Sequence, residues 1–162
     1  MSGKPIELEK VCRSFGAVEV LREISLNIRR GEFVAVVGPS GCGKRTLLNL
    51  LSGYDQPSSG VISREGRVRM VYQQDGLFPW LTVEENIALG LRHIGDEKER
   101  ERQVGEMIGL IRLQGFENHY PHQLSGGMRQ RVELARGLGG DSDTLLLDEP
   151  ASALGYLTRL RM

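Results

Sequence analysis

Phe33-Val34-Ala35-Val36-Val37 runs directly into Gly38-Pro39-Ser40-Gly41-Cys42-Gly43-Lys44, and this junction decides the fold. A short, wholly apolar run predicts a buried strand of a parallel sheet. The glycines that follow let the backbone turn its N–H groups toward one concavity. A helix with Leu47, Leu48 and Leu51 on one side begins just after them. Strand, Gly-rich turn and helix N-terminus together present partial positive charge to an anion. Lys44 is placed to reach the β- and γ-phosphates of a nucleotide. A plain Gly-rich turn is the alternative, and the register of Gly38, Gly41, Gly43 and Lys44 argues against it.

The next position departs from the phosphate-loop pattern. That pattern places Ser or Thr directly after the lysine, because the hydroxyl binds Mg²⁺. Here the position is Arg45, with Thr46 one residue later. Thr46 cannot slide back without changing the helix register. A guanidinium has no acceptor atom for a cation, although it attracts phosphate oxygens. Charge neutralisation therefore survives at Arg45, whereas positioning of the metal does not.

Working outward, residues 6–14 and 20–28 alternate apolar and polar side chains as exposed strands do. Arg30-Gly31-Glu32 reads as a turn. Gly53 is the stop of the first helix. Gln56-Pro57-Ser58-Ser59-Gly60 reads as a loop, and residues 68–72 as another strand. Thr82-Val83-Glu84-Glu85 is a capping box opening a helix with Val83, Ile87 and Leu91 on one face. Asp96 caps a second helix, whose Val104, Met107, Ile108 and Ile111 fall at helical spacing, with Gly115 as its stop. A mainly helical segment, about 79–122, thus interrupts an α/β pattern.

Leu124-Ser125-Gly126-Gly127 leads into a helix over residues 128–138. A hydroxyl and two glycines at a helix start can bind a second anion or make an ordinary N-cap. Leu145-Leu146-Leu147 ends in Asp148-Glu149. In that pattern Asp148 holds Mg²⁺ through water and Glu149 polarises an attacking water as general base.

Composition narrows the class. The chain has 162 residues, room for one domain with a sizeable core. The formal net charge is zero, which argues against a dedicated nucleic-acid binder. Cys12 and Cys42 are too few for a disulfide framework, which fits a reducing cytosol. No stretch suits a signal peptide, and no apolar run approaches the roughly 20 residues needed to span a bilayer. A membrane role would come through a partner.

GPSGCGK at 38–44, VYQQ at 71–74, LSGGMRQR at 124–131 and LLLDEP at 145–150 resemble the ATP-binding subunit of an ABC transporter. LFPWLTVEENIALGL (77–91) and YPHQLSGGMRQR (120–131) most resemble the nitrate/sulfonate/taurine importer branch. The resemblance implies an α/β phosphate-loop ATPase core with N-terminal antiparallel strands and an inserted helical subdomain. Its parts would be 1–78 (strands, phosphate loop, Q-loop), 79–135 (helical subdomain and signature) and 136–162 (Walker B strand and following loop). It implies ATP and Mg²⁺ as cofactors, with Arg45 weighing against the metal. Gly38, Pro39, Ser40, Gly41, Cys42, Gly43, Lys44, Arg45 and Thr46 would line the ATP phosphates, and Phe15 would stack on adenine. Gln73 would touch metal and lytic water, Asp148 would hold the metal and Glu149 would be the catalytic base. Leu124, Ser125, Gly126, Gly127 and Met128 would face ATP held by a second ATPase subunit in a head-to-tail dimer. Leu77, Phe78, Pro79 and Trp80 would receive a membrane permease subunit, and a solute-binding protein would act indirectly. From the residues alone, this Leu-Phe-Pro-Trp stretch reads either as an exposed apolar anchor or as packing under the helical segment. The implied location is the cytoplasmic face of the cell membrane.

Two further departures bear on activity. Gly155 follows Ser152-Ala153-Leu154 where the family usually has Asp. The chain ends at Met162, before the family's switch histidine and the strand leading to it, which predicts an incomplete domain with unpaired strand edges. Two readings stay open: an importer ATPase, or an ATP-binding-only or degenerate fragment of one without motor activity.

Overall fold

The computed structural model describes residues 6–72 and 76–148. The described residues divide into two compact units, one within 6–68 and 142–146, the other within 69–72, 76–141 and 147–148.

The first unit is built on a three-stranded antiparallel sheet. Its strands are β1 (Ile6–Phe15), β2 (Val18–Ile28) and β3 (Ser59–Arg64), in the order β2-β1-β3. Alternation turns Ile6 and Leu8 inward, and a register shift between Leu8 and Val11, with Lys10 left-handed (φ 46°), brings Val11 to the same side. Leu21 of β2 and Leu47, Leu50 and Leu51 of helix α1 (Lys44–Ser52) are buried too. Gly53 closes α1 in the left-handed conformation, its N–H reaching the Leu50 carbonyl at 3.2 Å. Arg64 of β3 donates to the same carbonyl at 2.5 Å, so strand and helix end are tied together.

The expected buried strand at 33–37 is not formed. Phe33, Val34, Val36 and Val37 are exposed, Val37 at 88%, and no described strand pairs with the run. The reason is topological. A strand buried on both faces needs ladder neighbours and covering layers, and β2, β1 and β3 pair among themselves. Strand β3, in turn, extends from the segment read as a loop. Its sequence, SGVISR, is too polar and too short to show alternation.

The second unit is mainly helical. Helix α2 (Val83–Gly90) starts at the capping box: Thr82 Oγ1 accepts from Glu85 N at 3.2 Å, and Glu85 returns a carboxylate oxygen to Thr82 N at 2.7 Å. Asp96 caps helix α3 (Glu97–Leu110) by accepting from Lys98 N. Helix α4 (Gly126–Leu138) completes the unit. Val83, Ile87, Leu91, Val104, Ile108, Val132 and Ala135 meet in one core, joined by Leu77, Ile111, Leu113 and Leu124. The second helix does not run to Gly115. It ends at Leu110, where Arg112 turns left-handed (φ 55°) and Leu113 N–H reaches back to the Ile108 carbonyl. That turn drops Leu113 into the core at 1% exposure. Two further short strands, β4 (Val68–Val71) and β5 (Thr144–Leu147), each fall where the chain passes from one unit to the other. No helix among the described residues is long and apolar enough to cross a membrane.

Candidate functional site

The phosphate loop lies in the first unit. Gly41 and Gly43 both take left-handed conformations (φ 81° and 93°). At Gly43 an added Cβ would stand 3.0 Å from Leu21, 3.1 Å from the Val20 side chain and 3.3 Å from its carbonyl. Only glycine lets the loop pass this close to β2 and then enter α1. Gly43 is the N-cap of α1, no side chain caps the helix, and its first turn holds no acid. A helix start of this kind, with no capping side chain at Gly43 and no acid in its first turn, suits an anionic acceptor.

Lys44 folds back over the loop. Its Nζ donates to the carbonyls of Gly38 and Pro39 at 2.8 Å each and lies 3.8 Å from Cys42 Sγ. Residues 31–42 are all exposed. Phosphate oxygens can therefore replace two carbonyls as acceptors for the ammonium, a stronger charge-assisted arrangement. Glycine turns, an uncapped helix start and a lysine at its mouth fit a nucleotide phosphate chain. They do not fit a metal ion in the same way. Arg45 and Thr46 occupy the first turn of α1, and Arg45 is exposed and offers no oxygen donor. Among the described residues no group of three or more His, Cys, Asp or Glu is placed to hold a metal.

Phe15 ends β1, half exposed, with the Arg13 guanidinium 4.4 Å from its ring centre. Arg13 is held in turn by Asp55 at 2.8 Å. This aromatic shares a unit with the phosphate loop, and one of its faces carries a cation.

The remaining predicted residues fall in the second unit or outside the described residues. Ser125 is the N-cap of α4, its Oγ accepting from Met128 N at 3.3 Å. Gly126 and Gly127 are exposed, and nothing lies within 4 Å of a Cβ at Gly127. Leu124 anchors this helix start in the core at 5% exposure, and its carbonyl accepts from Arg129 at 2.8 Å. Asp148 is buried at 6% exposure, with its backbone N–H on the Val71 carbonyl. Gln73 and Glu149 lie outside the described residues.

The Leu-Phe-Pro-Trp stretch combines both readings. Leu77 is core, while Phe78 and Trp80 are exposed at 41% and 68%, their rings 5.4 Å apart. The Arg136 guanidinium stands 5.7 Å from the Phe78 ring, and burial lowers its pKa. Sequence reasoning passed over Asn86. It is fully buried, accepts from Phe78 N at 2.9 Å, and donates to the carbonyls of Phe78, Leu81 and Thr82 at 3.2, 3.0 and 2.9 Å. Its one signal was an amide on the apolar face of α2, between Val83 and Ile87.

A glycine-rich loop opening one helix, a Ser-Gly-Gly start to another and a strand followed by an acid are the features this chain offers for comparison. The profile of the ABC transporter family matches residues 21–152, and the chain belongs to that family. An aliphatic-sulfonate import ATP-binding protein of Shouchella clausii is 45% identical over 159 residues, covering 97% of this chain and 62% of that protein. A spermidine/putrescine import ATP-binding protein of Rubrobacter xylanophilus is 42% identical, covering 99% of this chain and 46% of that protein. The chain thus spans about half to three fifths of these relatives. Among solved structures, a dimeric ATP-binding cassette in a post-hydrolysis state, bound to ADP and Pi, superposes with a TM-score of 0.81 at 31% identity. That superposition covers 96% of this chain and 82% of that one.

Proposed function

We propose that this chain is the ATP-binding subunit of an ABC importer, binding ATP at residues 38–46 and coupling its turnover to uptake of a small anion of the nitrate, sulfonate or taurine type. The observation that carries the reading is Lys44 folded over the loop, its Nζ on the carbonyls of Gly38 and Pro39, at a helix start with left-handed Gly43 as N-cap and no acid in the first turn. Binding exchanges the two carbonyl acceptors of Lys44 for phosphate oxygens, while the first amides of α1 take the rest of the phosphate charge.

In this reading Phe15 stacks on the base. Ser125 and Gly127 face the γ-phosphate of ATP held by a second subunit in a head-to-tail dimer, and Leu124, Gly126 and Met128 shape that helix start. Glu149 serves as general base for the attacking water, with Gln73 beside it, and Asp148 is the acid nearest the metal. Phe78 and Trp80 dock a permease subunit at the inner face of the membrane. Their paired, exposed rings on a loop pinned by Asn86 support that role.

A second reading is favoured by Arg45: nucleotide binding without hydrolysis. One experiment bears on both. A fluorescent ATP analogue is titrated with and without Mg²⁺. Binding that barely changes with Mg²⁺ favours the binding-only reading. Clear tightening by Mg²⁺ favours the ATPase. No binding under either condition sinks the assignment of residues 38–46. Steady-state hydrolysis abolished by Glu149→Gln counts against the binding-only reading.

A further inference from the structure

Arg13 and Phe15 stand two residues apart at the end of β1, and their side chains meet, the guanidinium carbon 4.4 Å from the ring centre. Asp55 grips the same guanidinium at 2.8 Å, with both side chains of the pair only 22% exposed. The Arg13 Nε is shut off from solvent and makes no hydrogen bond. The ion pair and the ring therefore hold this group in place. Asp55 is itself tied to the helix that opens at the phosphate loop. Its N–H reaches the Asn49 carbonyl of α1 at 3.2 Å, and its carboxylate also accepts from Gln56 N at 2.8 Å. The segment that follows is fastened to β1. Ser58 N–H donates to the Cys12 carbonyl at 2.8 Å, and Ser58 Oγ accepts from Ser14 N at 3.0 Å. Arg13 thus bridges the far end of the phosphate-loop helix and the ring assigned to the base, all within the first unit.

We propose that Arg13 is a positioning residue for the base of the bound nucleotide: its guanidinium, anchored by Asp55, occupies one face of Phe15 and reserves the other for stacking. This rests on the reading of residues 38–46 as the ATP site and of Phe15 as the ring beneath the base. The physical ground is preorganisation. A guanidinium over an aromatic face is attracted by the ring quadrupole, so the contact sets the torsion of Phe15 before a nucleotide arrives. A ring already held in one orientation loses less side-chain freedom on stacking, and less of the stacking energy is lost to ordering. A base on the Arg13 side would have to expel a charged group from both of its partners. The opposite face is therefore the one it takes, which gives one pose rather than two. Because Arg13 acts through the ring, it matters for the base and not for the phosphate chain. Asp55 acts one step further out. Neutralising it loosens the guanidinium without removing the cation, so its effect is the smaller one.

The test uses the full chain and reads the ligand concentration that half-protects Cys42 from alkylation. It is measured for ATP and for inorganic tripolyphosphate, which carries the phosphates without the base. Arg13→Gln is expected to raise the ATP value about fivefold and to leave the tripolyphosphate value unchanged. Arg13→Lys keeps a cation within reach of the ring and is expected to retain most of the wild-type ATP affinity. Asp55→Asn shifts the ATP value in the same direction as Arg13→Gln, by less. Combining Arg13→Gln with Phe15→Ala should be no worse than Phe15→Ala alone, because the two residues act as one unit. Equal losses for ATP and tripolyphosphate would show a merely structural role, and additive losses in the double variant would show that Arg13 acts elsewhere. Either result overturns the proposal, as does an unchanged ATP value in Arg13→Gln while Phe15→Ala weakens ATP. Failure of the underlying reading looks different: ATP does not protect Cys42 in the wild type, or Phe15→Ala leaves the ATP value where it was. Either of those removes the proposal together with the base site it depends on.

Discussion

The buried amide of Asn86 grips both backbone atoms of Phe78, its Oδ1 accepting from the N–H at 2.9 Å and its Nδ2 donating to the carbonyl at 3.2 Å. Further bonds to the carbonyls of Leu81 and Thr82 fix the loop that presents Phe78 and Trp80. Asn86→Ala leaves those backbone groups without a partner in a dry setting. Orphaned buried polar groups cost about 1–3 kcal/mol each, so a loss of about 2–4 kcal/mol is expected. Urea unfolding followed by Trp80, the chain's single tryptophan, measures it. An unchanged midpoint would show that the loop is held by other means.

Gly43→Ala tests the loop geometry. Alanine at φ 93° pays a left-handed penalty of about 1–2 kcal/mol, and its methyl meets Leu21 and Val20 at 3.0–3.3 Å. The expected result is a fold-competent protein, by circular dichroism, with strongly weakened binding of a fluorescent ATP analogue. Unaltered affinity would remove the conformational argument for the phosphate loop.

Local chemistry was legible in the sequence. The capping box at Thr82 and Glu85, the Asp96 cap, the Ser125 cap and the period of Val104 and Ile108 all lie within a turn or two of the groups they bond. What failed depends on distant partners. The run at 33–37 reads as a buried strand, but burial needs neighbours that no local pattern supplies. Strand β3 is recruited by its ladder with β1, not by its own hydrophobicity. The end of α3 is set by Leu113 reaching the core, so the left-handed Arg112 outranks Gly115. At the candidate site the loop glycines and the helix start were legible. The fold-back of Lys44 and the role of Asn86 were not, because hydrogen-bond partners leave no periodic trace.

Arg45→Ser restores the hydroxyl that the phosphate-loop pattern places after the lysine. The expected outcome is a stronger dependence on metal: Mg²⁺ should tighten ATP-analogue binding by about tenfold more, or ~1.4 kcal/mol, than it does in the wild type. Titrations with and without Mg²⁺ on both proteins check this. Equal Mg²⁺ dependence in the two would mean that Arg45 does not control the metal.

Asp143 gives a pH prediction. The backbone N–H of Arg67 at 3.0 Å, followed by the Arg30 guanidinium at 3.1 Å, holds its carboxyl below the ordinary value. A depressed carboxylate stabilises the folded state above its unfolded pKa, about 3.9, and that contribution fades as pH falls through the folded value. Asp143→Asn should therefore be less stable than the wild type at neutral pH, with the gap closing in acid. Because the group is exposed, the ionic part of the gap should shrink in high salt. Urea unfolding at both pH values, at low and high salt, tests the sign. A gap that widens in acid would contradict it.

Cys42 reports directly on the loop. Its Sγ lies 3.8 Å from Lys44 Nζ, its N–H reaches the Pro39 carbonyl at 3.4 Å, and the residue is exposed. A nucleotide whose phosphates settle on the amides of 41–46 covers this thiol. Saturating ATP should slow its alkylation several-fold, with Cys12 followed separately by peptide mass spectrometry as an internal control. Cys12 Sγ accepts from Glu23 N at 3.2 Å within the sheet, so its rate should not respond. Protection of both thiols would indicate general tightening of the fold. Protection of neither would place the nucleotide away from this loop. Selective protection of Cys42, retained when Mg²⁺ is chelated, is the result that joins phosphate binding at α1 to the metal-poor chemistry set by Arg45.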